Sequence, residues 1–120
     1  MTTSIDLSTF KPKTADELFS GILANIVSVL KNNVEEIKKE ISVHLQSLAK
    51  KAWLTQLGLA KGTITRENAD IAIHTQELAL SNVLLLVEFM TYELVQDVID
   101  AAFSVVSAAI KNLTGIELKF

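Results

Sequence analysis

The 120-residue chain contains no cysteine, one proline, four glycines and a single arginine, Arg66. Each scarcity excludes something. Without cysteine there is no disulfide framework, no thiolate zinc site and no thiol nucleophile, and the redox compartment stays undefined. With so little glycine and proline, the turn signals that would punctuate a many-stranded sheet roughly every 8–12 residues are missing. Aromatic residues make up 6% of the chain, and they do not interleave with a basic stripe, so no nucleic-acid partner is expected. Long hydrophobic runs are also lacking. The longest uncharged stretch, Leu18 to Leu30, has 13 residues broken by Ser20, Asn25 and Ser28, short of the roughly 18–20 that a spanning helix needs. Met1 to Asp6 show neither the basic nor the apolar segment of a secretory leader, so a cytoplasmic location is the default expectation.

What is present is apolar surface. Residues of the apolar class make up 49% of the chain against 21% charged, with a net charge of −3, which suits one folded domain rather than a disordered segment. Residues 1–13 read as a polar N-terminal arm ending at Lys11, Pro12 and Lys13. Thr14 followed by Glu17 forms a capping box, so the first helix starts there. Only Gly21 interrupts the pattern before Gly58, and the economical reading is one long helix over about 14–60. Gly58 and Gly62 can take left-handed C-terminal positions and Thr65 can cap the next helix, placing a turn at 58–65. A second helix, free of glycine and proline, is expected over about 65–112 with an exit at Asn112 and Gly115, followed by a tail at 116–120.

Both expected helices carry an apolar stripe. The first runs Phe19, Leu23, Ile26, Leu30, Val34, Ile37, Ile41, Leu45, Leu48 and Ala52; the second runs Leu80, Leu84, Val87, Thr91, Val95, Val98, Ala102, Val106, Ala109 and Leu113. Their steps average about 3.67 residues, the eleven-residue repeat of straight or faintly right-handed packing. Folded antiparallel, the stripes meet in layers: Leu45 faces Leu80, Ile41 faces Leu84, Val34 faces Thr91, Ile26 faces Val98 and Leu23 faces Ala102. The charge pattern agrees. Residues 67–110 carry only acidic charges, whereas 31–66 are mainly basic, so Lys50 and Lys51 can approach Glu77, and Lys38 and Lys39 can approach Glu88. The fold class predicted is therefore all-α, a long antiparallel helical hairpin expected to pack as an oligomeric helix bundle.

A hairpin about 70 Å long would leave one side of its second helix uncovered. That side carries Leu78, Leu85, Phe89, Tyr92, Ile99, Phe103 and Ile110, which are the candidate interface residues. Chemistry-bearing patterns are poorer. Glu40 with His44 and Asp70 with His74 stand four residues apart, but the Glu-x-x-His spacing of di-iron bundles is absent, and the register offsets the two histidines by about 10 Å. No metal and no cofactor are expected. Glu88, Glu93, Asp97 and Asp100 trace a solvated helix face, Trp53 closes the turn end, and no serine has the glycine-framed elbow of a nucleophile. The expectation is a non-enzymatic structural or interaction protein that forms a homo-oligomer, with another protein as the other candidate partner. The alternative is a membrane-active or lipid-surface hairpin of pore-forming or granule-coating type, against which stands the purely acidic second helix.

Overall fold

Four capped helices account for most of the chain in the computed structural model, which describes residues 6–87 and 90–118. They are α1 (Ala15–Val29), α2 (Val34–Lys61), α3 (Arg66–Leu84) and α4 (Tyr92–Thr114), and no strand occurs among the described residues. The caps are local chemistry. The hydroxyls of Thr14, Thr65 and Thr91 accept the backbone N–H of Glu17, Asn68 and Leu94, each at 3.1 Å, satisfying donors that a helix start leaves unpaired. Gly62 and Gly115 end α2 and α4 in the left-handed region, with φ of 74° and 75°.

The two long helices expected from the sequence are each broken in two. Leu30 turns extended after α1, and Asn33 takes φ 57°, the left-handed conformation that asparagine tolerates better than most side chains. Beyond α3 the chain unwinds through shorter bonds, Leu86 N–H to the Val83 carbonyl and Val87 N–H to the Leu84 carbonyl, before Thr91 caps α4. Thr91, read in the sequence as a stripe position facing Val34, is thus an exposed cap.

The breaks fold the hairpin over on itself. α1 packs against α2 and α4, α2 against α3 and α4, and α3 against α4. The molecule measures 41 × 29 × 21 Å with a radius of gyration of 13.7 Å, close to the roughly 14 Å expected of a single domain of this length. Pairing of α1 with α4 keeps the antiparallel sense of the hairpin. The Asn25 amide donates to the Ala101 carbonyl at 2.9 Å, which lies beside the expected layers of Leu23 with Ala102 and Ile26 with Val98. Between α2 and α3, His44, Ser47 and Lys51 share one groove with Val83, Ala79 and Gln76, again antiparallel.

The core is aliphatic. Ile22, Ile26, Ile37, Ile41, Leu45, Ile73, Leu84, Val98 and Val106 are fully enclosed. On α1 the buried line is Leu18, Ile22 and Ile26, so the face is turned from the expected line through Phe19 and Leu23, both of which are half-buried. α4 is buried on most sides, because it meets all three other helices.

The arm is not merely polar. Leu7 and Phe10 pack against the core and Pro12 is buried between the exposed Lys11 and Lys13, while the Asn112 amide donates to the carbonyls of Leu7 and Phe10, each at 2.9 Å. Its start is a turn in which the Asp6 carboxylate accepts the hydroxyl and backbone N–H of Ser8, bonds that hold the Asp6 carboxyl below its usual range. Phe10 sits on Gly21, where an added Cβ would come within 2.5 Å of the ring. Gly21→Leu is therefore expected to expel the arm while α1 itself gains roughly 1 kcal/mol of helix propensity. Faster proteolysis or hydrogen exchange over residues 7–12 with unchanged helical circular dichroism is the expected readout; unchanged protection would contradict it.

Candidate interaction surface

The outer side of α3 presents the clearest unsatisfied feature of the molecule. α3 buries Ala69, Ile73, Leu80 and Leu84, and on the opposite side it carries Ile71, Leu78 and Leu85. Leu85 is the C-terminal cap residue of α3 and still has helical dihedral angles. These three side chains keep 65%, 55% and 56% of their surface exposed. Residues seven apart drift only about 20° around a helix, so they form one line, roughly 21 Å long at 1.5 Å per residue.

The interface line expected from the sequence is divided by the fold. Leu78, Leu85 and Tyr92 are exposed, Tyr92 at 81%, but Ile99, Phe103 and Ile110 are interior, and Phe89 lies outside the described residues. The reason is phase. A common line through both halves requires one continuous helix, and the seven-residue linker at 85–91 resets the rotation of α4 relative to α3. The chain then covers the α4 part itself, so Ile99, Phe103 and Ile110 are not available as a surface of the folded chain. Ile71 belongs to the exposed line although the sequence-derived set omits it. Its signal is the seven-residue spacing to Leu78 and Leu85, a period distinct from that of the eleven-residue stripes.

Charge around this surface also differs from expectation. Glu77 Oε1 lies 3.2 Å from His74 Nδ1, and Lys38 pairs with Glu35 at 3.8 Å. Among the described residues Lys50 and Lys51 form no ion pair with Glu77, and Glu88 lies outside them. Arg66 reaches Asp70 within α3 at 4.0 Å. Every charged group of α3, namely Arg66, Glu67, Asp70 and Glu77, precedes Leu78, and none lies between Leu78 and Leu85.

The cavities carry little chemistry. The groove containing His44, Ser47, Lys51 and Gln76 holds about 190 Å³, below the roughly 300 Å³ at which small-molecule sites begin. A wider groove of about 510 Å³ between α3, α4 and Leu118 holds Glu77 and Asp100, whose carboxylates already meet His74 and the Gln96 amide. No three His, Asp or Glu side chains converge on a point among the described residues, and the acid that meets His74 is Glu77. Trp53 is half-buried against the core. No helix among the described residues is long and apolar enough to cross a membrane. Compared with known proteins, the chain matches no family model, no curated protein and no solved structure.

Proposed function

We propose that this chain is a non-enzymatic structural or interaction protein whose function is self-assembly, with the outer face of α3 as the contact. The observation that carries the reading is the exposed line of Ile71, Leu78 and Leu85. Single exposed apolar residues are ordinary, whereas an aligned set on one helix is the pattern of a helix that packs on another. The line is short. It offers well under the ~800 Å² per partner of a standard interface, so assembly should depend on concentration, with a dissociation constant in roughly the micromolar range or weaker.

Leu78→Asp places a charge in the middle of that line without touching the core. The expected result is a solution mass close to one chain at concentrations where the wild type forms multimers, with the same thermal transition as the wild type at dilutions where both are single chains. Wild-type protein that light scattering shows as a single chain up to millimolar concentration would overturn the assembly reading.

A second reading, a lipid-surface or membrane-active protein, draws on the exposed Leu85 and Leu86 after α3 and the exposed Tyr92 at the start of α4. Leu86 is 87% exposed. The neighbouring charges at this end include Glu93 and Asp97 beside the single Lys31, a poor match to anionic lipid. Dye release from anionic liposomes by the wild-type protein would favour this reading over assembly.

A further inference from the structure

We propose that the groove between α2 and α3 binds a single phosphate group, held by His44, Ser47 and Lys51 on one wall and Gln76 on the other. The site is separate from the outer face of α3 and does not depend on self-assembly. His44, Ser47 and Lys51 follow at steps of 3 and 4, which is one line along α2. Side chains lean toward the N-terminus of their helix, so the Lys51 stem leans back toward Ser47. The buried Leu48 and Leu80 also line the groove, and they keep its base apolar.

Two independent observations point to an anion. The polar side chains of the groove are uncommitted: none of the four makes a hydrogen bond or ion pair with another described residue. Elsewhere on α2 the hydroxyls of Ser42 and Thr55 turn back to the carbonyls of Lys38 and Lys51, but the Ser47 hydroxyl makes no such bond. The second observation is charge. Residues 41–66 hold Lys50, Lys51, Lys61 and Arg66 and no acid, in a chain whose net charge is −3. No carboxylate lines the groove, and Glu77, next to Gln76, meets His74 and lines the groove toward α4 instead. An ammonium, a hydroxyl, an amide and an imidazole can all donate, and here they come from two walls. The three terminal oxygens of a phosphate group accept from several directions, whereas the two oxygens of a carboxylate lie in one plane at one end. At about 190 Å³ the groove is small for a drug-sized molecule and suits one such group.

The probe is inorganic phosphate, titrated into the full chain at constant ionic strength and followed by backbone amide chemical shifts. Saturable shifts are expected over residues 44–51 of α2 and 76–83 of α3. Lys51→Gln should weaken binding by roughly tenfold or more, the loss of one charge-assisted hydrogen bond, and Ser47→Ala should weaken it severalfold. Both side chains are exposed, so helical circular dichroism should not change. Lys50→Gln is the control. It removes the same charge one residue away, outside the groove, and should weaken binding by less than about twofold. Phenyl phosphate separates the sources: tighter binding than inorganic phosphate identifies a phosphate ester as the occupant, and equal binding identifies the free ion, the site standing in either case. Equal losses in Lys50→Gln and Lys51→Gln would reveal a general response to charge and overturn the proposal. Failure of both probes to give saturable shifts in the wild-type chain would overturn it as well.

Discussion

Phe103→Asp is expected to abolish the cooperative unfolding transition instead of merely dissociating an assembly. Phe103 keeps 3% of its surface exposed and sits among the core residues of α4. Truncating a buried phenylalanine costs about 3–5 kcal/mol, and an unpaired buried carboxylate adds several more. The sum approaches the whole stability of a small domain, about 5–15 kcal/mol. Thermal melts and near-ultraviolet circular dichroism would show a broad, uncooperative profile. Tyr92→Asp is the control, since that side chain points to solvent at the start of α4 and should shift stability by about 0.5 kcal/mol or less. A folded Phe103→Asp protein with a sharp transition would mean that the α4 face is not interior.

The second large effect concerns two neighbours on α2. Ile41 is fully enclosed, and Val43, two positions on, is among the most exposed apolar residues of the chain. Ile41→Ala should cost about 2–5 kcal/mol through lost burial and the cavity left behind. For a domain of this size the melting temperature should fall by roughly 10 °C or more. Val43→Ala should leave it nearly unchanged. Equal losses at both positions would show that the outer face of α2 is covered, and would place the contact on α2 instead of α3.

The contrast between these residues also marks what could be read from the chain. The caps at Thr14 and Thr65 and the exits at Gly62 and Gly115 depend on a few backbone groups and one side chain each, so they are visible in a short window. The stripe from Ile37 through Ile41, Leu45 and Leu48 to Ala52 is buried along its length, as a helical period of apolar residues implies. The two breaks were not legible. Asparagine costs only a fraction of a kcal/mol in a helix interior, so Asn32 and Asn33 do not by themselves stop one. The α3–α4 linker has neither glycine nor proline. What closes these helices is the burial gained when the two halves of the hairpin fold together, a tertiary gain that no local window contains. The error in the interface line has the same source. Residues assigned to a common side by a continuous helix lost that relation once the helix ended at Leu84 and restarted at Tyr92.

The Asn25–Ala101 bond and the two bonds from Asn112 to Leu7 and Phe10 have a kinetic consequence. They join residues 76, 105 and 102 positions apart, whereas α2 and α3 meet across the short turn after Gly62. Closing a long loop costs conformational entropy before any contact compensates for it, and that cost grows with the logarithm of loop length. The α1–α2 and α2–α3 pairs, each joined by a four-residue link, are thus expected to form first, and α1 closes on α4 late, with the N-terminal strap last of all. During that interval the inner face of α4 is uncovered. The helix with the largest set of buried residues is then open to solvent in the partly folded protein, and the order of folding, more than the stability of the finished molecule, sets its exposure to aggregation.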